Sequence, residues 1–271
     1  MSAALPDYKS PPVIEVAIGV QFAPLDHFCS AHTGLFWDRI RQLYPRVEEQ
    51  APLAHIVEPL ETEFVELPMP VVLPRPPQPR MWFLSESGTS LVQVQQDRFH
   101  VNWRKLESEE DYPRYPHVKE RFFKAWREFC RFLADEHLTT PEIDQCELTY
   151  VNFIPRGEGW NDVRDLEKVF TTFVWNTKEE FLPPPENVGW SMQFRMPDRS
   201  GRLHTDVHRV LTMPRKREAI RFALTARGCP AEKEEEHLEQ WFDVSRKWIV
   251  RGFCDLTGRL TDELWRRSCD R

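Results

Sequence analysis

Three alternate residues in one short segment have the side-chain types that ligate metal ions. In RLHTDVHRVL, His204, Asp206 and His208 are each two positions apart. A β-strand would place all three on one face, about 7 Å apart, because successive side chains point to opposite faces. Two imidazoles and a carboxylate suit zinc or ferrous iron, which indicates a metal-assisted hydrolase. The alternative is a row of polar groups on the solvated face of a sheet, since no second cluster of His, Cys or Asp stands out in the sequence.

Neighbouring segments add polar side chains that would share this face. NVGWSMQFRMPD supplies Gln193 and Arg195, and REAIRFALTARG supplies Arg221. A guanidinium group binds carboxylate or phosphate through two parallel hydrogen bonds. We therefore expect an anionic or nucleotide-like ligand, with Arg195 or Arg221 as bidentate donors. An ordinary solvated sheet face is the alternative.

The first half of the chain contains a matching polar row. LVQVQQDRFHVNWRK reads as two alternating strands joined at QQD. One side of the second strand is polar and the other is apolar, with His100, Asn102 and Arg104 on the first and Phe99, Val101 and Trp103 on the second. We expect Asn102 and Arg104 to be exposed and to bind a ligand. Alternatively, Arg104 pairs with an acidic group of the following segment.

Two similar series of elements must position these rows. The alternation of PPVIEVAIGVQF predicts a strand, GLFWDRIRQL a short helix ending before Pro45, and the segments between Met81 and Lys105 an antiparallel meander. The apolar stripe of YPHVKERFFKAWREFCRFLADEH then predicts a long helix. Eight prolines from Pro52 to Pro79 predict a long extended loop.

The second half repeats this order. CELTYVNFIP reads as a strand and DVRDLEKVF as a short helix; three strands and a closing helix from about Glu234 to Leu256 follow. We therefore predict an α+β fold of two similar halves, residues 1–140 and 141–271, closely packed on each other. Each half would be an antiparallel sheet covered on one face by a long helix.

Composition excludes several classes of protein. A formal charge of −7 disfavours general nucleic-acid binding, although a local basic patch remains compatible with it. The six cysteines are scattered without metal-ligand spacing, and no apolar run reaches the length of a membrane span. The opening lacks a signal-peptide pattern, so we expect a cytoplasmic location. Phosphate-loop, dinucleotide and nucleophile-elbow motifs are absent from the sequence, so we expect no cofactor and favour a protein without catalytic activity.

Several blocks resemble a known group of proteins. PPVIEVAIGVQF, LVQVQQDRFHVNWRK, YPRYPHVKERFFKAW, ELTYVNFI and DLTGRLTDELW are together similar to a sporadically distributed prokaryotic family that has no settled biochemical function. The resemblance runs from about Pro11 to Trp265, and it is weakest in the proline-rich stretch before Met81 and in the DLTGRLTDELW ending. It implies no catalytic residues. Its patchy occurrence implies an accessory role, such as phage defence or a toxin–antitoxin component.

These observations favour a non-catalytic binding or interaction protein. Its polar sheet face, or its proline-rich loop, would bind a protein partner or a small anion. The apolar residues between Phe64 and Leu73 predict that the loop packs against its own sheet edge or against a second chain in a homodimer. The alternative remains a metal-assisted hydrolase that uses His204, Asp206 and His208.

Overall fold

The chain forms a mixed α+β fold built on one large antiparallel sheet. The computed structural model describes residues 5–58, 78–106, 111–176, 181–183, 185–212 and 217–268. The strands are β1 (Asp7–Tyr8), β2 (Val13–Phe22), β3 (Arg46–Gln50), β4 (Arg80–Leu84), β5 (Ser90–Gln95), β6 (Arg98–Arg104), β7 (Ile143–Pro155), β8 (Gly189–Arg195), β9 (Gly201–Thr212), β10 (Arg217–Gly228) and β11 (Arg267–Ser268). The α-helices are α1 (Ser30–Ile40), α2 (Tyr115–Asp135), α3 (Leu166–Val169), α4 (Glu235–Leu256) and α5 (Arg259–Leu264).

Nine strands form the main sheet, in the order β3-β4-β5-β6-β2-β7-β10-β9-β8. Every neighbouring pair is antiparallel. The sheet is continuous between the two halves of the chain because β2 pairs with β7 along most of its length. Outward from that junction, the order is β2, β6, β5, β4 on one side and β7, β10, β9, β8 on the other.

The two long helices contact the sheet through aromatic side chains. The ring of Phe99 on β6 lies 5.0 Å from that of Phe129 and 5.5 Å from that of Trp126, both on α2. On the other side of the junction, the ring of Phe222 on β10 lies 5.8 Å from that of Phe253 on α4. Because strand side chains alternate, the residues on either side of Phe99 point to the opposite face. That opposite face carries the polar rows.

Some elements were not predicted from the sequence. β3 forms from RVEEQ, and the short strands β1 and β11 pair with each other near the two ends of the described chain. Of the predicted proline-rich loop, residues 59–77 lie outside the described residues, and so does the apolar stretch expected to pack in a dimer. No helix in the described ranges is long and apolar enough to cross a membrane.

Candidate functional site on the polar face

The two polar rows predicted from separate halves of the chain lie on the same face of the same sheet. One line of paired residues crosses seven strands, in the order Gln93, His100, Gly19, Glu147, Arg227, Arg202 and Arg195. The next line contains Asn102, Thr149, Thr225, His204 and Gln193. We call this surface the polar face; it is defined by the residues of these two lines together with Gln95, Arg98, Gln21 and Gln145.

Asn102 and Arg104 do not form the exposed pair expected from the sequence. Asn102 is only 4% exposed and accepts a hydrogen bond from Gln93 at 2.6 Å. It donates to Oε1 of Glu15 at 2.5 Å. Arg104 is half-buried, and its Nε donates to the backbone oxygen of Gly88 at 2.9 Å. The expectation of solvated positions is therefore wrong for Asn102, because its amide completes a buried hydrogen-bond network.

The other predicted ligand-binding residues lie further along the sheet. Gln193 and Arg195 are exposed on the edge strand β8, where they pair with His204 and Arg202 of β9. Arg221 is half-buried on β10, opposite His208. These side chains therefore share the polar face but lie at its outer part, away from the network around Asn102.

The structure does not gather His204, Asp206 and His208 around one ion. The ligand atoms of three residues that share an ion lie close together, but those of His204, Asp206 and His208 are not all within 4.8 Å of one another. His204 instead directs its Nε2 to Oε2 of Glu58, 2.8 Å away. Within the described ranges, only Glu232, Glu234 and His237 bring three ligand atoms together, at an exposed position near the start of α4. The row geometry therefore gives no support to a metal centre built from these three residues.

A segment without regular secondary structure crosses the polar face at residues 53–58; we call it the crossing segment. Its backbone is bound by side chains of one line of paired residues: Gln95, Arg98, Gln21 and Gln145. The amide of Gln95 both accepts from the Leu53 N–H and donates to the Leu53 oxygen, each at 2.9 Å. Arg98 donates to the oxygen of Ala54 at 2.6 Å.

The same pattern continues at the other end of the crossing segment. Gln145 accepts from the Glu58 N–H at 2.7 Å and donates to the Ile56 oxygen at 3.0 Å. The Ile56 N–H donates to Gln21 at 3.4 Å. An amide side chain can donate and accept at once, so each glutamine can hold the polar atoms of a peptide backbone. The crossing segment thus runs over the central strands rather than alongside an edge.

Glu58 fixes the end of the crossing segment through a buried ion pair. Its side chain is 5% exposed and lies 2.5 Å from Nη1 of Arg202 and 2.8 Å from Nε2 of His204. Burial alone raises the pKa of the Glu58 carboxyl, but the hydrogen bonds from His204 and Arg202 outweigh burial and lower it below its ordinary value. Glu58 is therefore held as a carboxylate.

His100 lies directly over Gly19, in the middle of the polar face. A Cβ atom on Gly19 would be 1.3 Å from Cδ2 of His100, so only glycine leaves room for the imidazole. Nε2 of His100 is fully enclosed and has no hydrogen-bond partner within the described part of the chain. Burial lowers the pKa of His100 to about 4, which keeps the ring neutral. Beside it, Glu147 accepts from Nε of Arg227 at 2.7 Å.

Sequence reasoning missed three residues that carry this arrangement: Gln21, Gln145 and Glu58. The alternation of β2 and β7 does place Gln21 and Gln145 on the polar side of their strands, which was the available signal. Glu58 lies in the proline-rich stretch, and its residue type alone does not predict a buried ion pair with β9.

Comparisons with known proteins add no identification. The chain matches no family model, no curated protein and no solved structure.

Proposed function

We propose that this is a non-catalytic interaction protein whose polar face binds an extended peptide segment of a partner protein. The crossing segment would occupy that site in cis. One observation carries the proposal: side chains of four adjacent strands bind the backbone of residues 53–58.

The way in which the crossing segment is bound suits a peptide site. Gln95 and Gln145 each bond a backbone N–H and a backbone oxygen, and every peptide offers these two groups. Backbone recognition supplies affinity that depends little on the peptide's sequence, and side-chain pockets supply specificity. We infer that the polar face recognises the extended backbone of a peptide first and distinguishes its side chains second.

The crossing segment is also held in a manner that permits exchange. Its apolar side chains contribute little buried surface, since Leu53, Ile56 and Val57 are 40–45% exposed. Its remaining contacts are polar, and an intramolecular hydrogen bond is worth a net of about 0.5–1.5 kcal/mol. Residues 53–57 have few buried apolar contacts and therefore open locally at a low free-energy cost, whereas the Glu58 ion pair is the costly contact to replace. A competing peptide with the same polar contacts can therefore replace it.

The ion pair at Glu58 predicts which partner fits. Arg202 and His204 both bind the Glu58 carboxylate from buried or half-buried positions, and breaking a buried ion pair is costly. A peptide that supplies a carboxylate at that position keeps these two contacts when it displaces the crossing segment. We therefore propose a partner segment that is extended and acidic at its end nearest β9.

We also propose that the polar face arose by duplication of one sheet-and-helix unit. The strand order outward from the β2–β7 junction is the same on both sides, and each side is followed in sequence by a long helix, α2 or α4. A duplicated unit joined through β2 and β7 makes a face wide enough for a peptide to cross. An accessory role, implied by the family resemblance, suits such an interaction protein.

The test removes the crossing segment and supplies it as a separate peptide. Gln50 and Arg80 are directly paired in the β3–β4 ladder, so a two-residue Asn-Gly turn can replace residues 51–79 and join the strands as a hairpin. We expect this hairpin variant to bind a labelled, end-capped APLAHIVE peptide saturably in fluorescence polarisation. Replacing the terminal Glu of the peptide by Gln should weaken binding.

Matched protein variants make this test specific. Gln145→Leu in the hairpin variant should abolish peptide binding because it removes two backbone contacts. Gln193→Leu is the control, since Gln193 is exposed on the edge strand of the same face. A folded hairpin variant that does not bind the peptide, or that loses binding equally in both leucine variants, would contradict the proposal. If the hairpin variant does not fold, hydrogen exchange in the full-length Gln145→Leu variant provides the same test. We expect faster exchange at Leu53 and Glu58, and unchanged exchange would oppose the proposal.

A second candidate function is binding of a small anion on the same face. Nε of Arg80 is a buried donor without a partner in the described residues, and Nε2 of His100 is also without a partner there. The charges of Glu147, Arg98 and Arg80 all act on that imidazole. An unpaired buried guanidinium donor near a second guanidinium group favours a phosphate or carboxylate group. Inorganic phosphate should then raise the melting temperature of the protein, and Arg80→Gln should remove that rise while Arg195→Gln retains it. An equal response in both variants would exclude this site.

A further inference from the structure

Two cysteines lie close together at one end of the β7–β10 ladder, one on β7 and one directly after β10. Cys146 on β7 is paired with Gly228, the last residue of β10, and Cys229 follows directly. Cys146 is fully buried, and the half-buried Cys229 directs its thiol toward β7, where Sγ lies 4.0 Å from the backbone oxygen of Ile143. Gly228 is the direct cross-strand partner of Cys146, so Cys229 lies one residue beyond that partner, and a disulfide requires the two Cα atoms to come within about 4.4–6.8 Å. Both residues are present as free thiols.

A lysine next to Cys229 distinguishes this thiol from the others. Nζ of Lys233 donates a hydrogen bond to Sγ of Cys229 from the turn that leads into α4. The hydrogen bond from Cys146, followed by the contact with Lys233, lowers the pKa of Cys229 to about 6. Much of Cys229 is therefore thiolate at neutral pH, which is the nucleophilic form.

The other thiols in the described part of the chain lack this combination. Burial raises the pKa of Cys130 to about 12, and it raises that of Cys146 well above its ordinary value. Cys146 is therefore a poor nucleophile alone, but it is placed to react with an oxidised neighbour. This division of roles, with one accessible thiolate and one resolving thiol, is typical of oxidation-sensitive pairs.

We propose that Cys229 is an oxidation site for hydroperoxides and that Cys146 is its resolving thiol. In the first step, the Cys229 thiolate attacks the terminal oxygen of the hydroperoxide. The O–O bond breaks, the alkoxide takes up a proton and leaves as an alcohol, and Cys229 becomes a sulfenic acid. In the second step, the sulfur of Cys146 attacks the sulfur of Cys229 and the S–O bond breaks. The hydroxide and the proton from Cys146 leave as water, so two thiols and one hydroperoxide yield one disulfide, one alcohol and one water.

The disulfide would join β7 to the turn between β10 and α4. Lys233 has two roles before the bond forms: it stabilises the thiolate and attracts the polar oxidant to it. This site is independent of the polar face, since Cys146 points to the opposite side of the sheet from its neighbour Glu147. Its chemistry can therefore be tested without knowledge of any partner.

Peptide mapping of the intact protein after brief treatment with hydrogen peroxide tests the proposal. We expect a Cys146–Cys229 disulfide to be the first oxidation product. In Cys146→Ala, Cys229 should instead accumulate as a sulfenic acid that dimedone traps. Lys233→Met should slow oxidation several-fold at neutral pH and move the pH midpoint of Cys229 alkylation by iodoacetamide upward from about 6.

Cys130→Ala serves as the matched control and should form the 146–229 disulfide at the unmodified rate. The proposal fails if oxidation appears first at Cys29, Cys130 or Cys254. It also fails if Cys229 reacts no faster than these thiols, or if Lys233→Met leaves both rate and pH midpoint unchanged. Because mapping of the natural chain needs no variant, poor folding of Cys146→Ala does not remove the test.

Discussion

The buried imidazole of His100 should make the stability of this protein depend on pH above the range in which carboxylates titrate. Its pKa is lowered from 6.5 in the unfolded chain to about 4 in the folded protein, mainly by burial. Below pH 6.5 the unfolded chain therefore binds a proton that the folded protein does not. At 1.36 kcal/mol per pKa unit, the full effect is about 3 kcal/mol. This stability is present above pH 6.5 and is lost as the pH falls towards 4.

Urea unfolding at pH 7.5 and pH 5 measures this effect directly. We expect His100 to account for a loss of about 2 kcal/mol at pH 5, because that pH lies about 1.5 units below the unfolded value. His100→Asn should remove this part of the pH dependence. His137→Asn is the control, since His137 is exposed and has a positive φ of 56° that asparagine tolerates. If His100→Asn and the natural protein lose equal stability between these pH values, the imidazole is not buried as described.

Further predictions concern residues on both faces of the sheet. Gly19→Ala should cost at least about 1–3 kcal/mol in urea unfolding, because the new methyl group overlaps the ring of His100. Trp103→Ala should cost about 3–5 kcal/mol through the cavity it leaves in the core, and a loss below 1 kcal/mol would contradict its burial. Asn102→Ala should cost about 1–3 kcal/mol of stability, because the partners of its amide lose their hydrogen bonds. A negligible change would indicate that Asn102 is exposed, as the sequence pattern predicts. Glu58→Gln should speed hydrogen exchange of the crossing segment about tenfold or more and have little effect on exchange in β7. An equal change in the crossing segment and in β7 would show that the substitution does not act locally.

The regular elements could be predicted from the sequence because their patterns are periodic. Every residue predicted for the apolar stripe of α2 is buried, namely Val118, Phe122, Ala125, Trp126, Phe129 and Leu133. Tyr115, Phe123 and Phe132 are also buried but were not predicted. The closing helix α4 begins within one residue of its predicted start. The alternation in β6 also predicted that Phe99 and Trp103 lie in the core. These features depend on local spacing, which one sequence contains.

The environment of the polar rows could not be predicted, because it depends on contacts between distant residues. The pattern places Asn102 on the polar side of β6, but its burial depends on Glu15, which is 87 residues away. Glu58 and its partner Arg202 are 144 residues apart, so neither spacing nor residue type links them. The three-residue metal row was a reasonable hypothesis from side-chain types, but its ligand atoms do not all lie within 4.8 Å of one another and Glu58 binds His204.

The central claim is that the crossing segment occupies a peptide-binding site in cis, and a comparison of two dissociation constants tests it most directly. The same APLAHIVE peptide is titrated into the intact protein and into the variant in which a two-residue turn replaces residues 51–79. A tethered segment competes at a millimolar effective concentration, so the account predicts binding to the intact protein at least about tenfold weaker than to the variant. Equal affinity for both proteins, or no binding to the folded variant, would contradict the account.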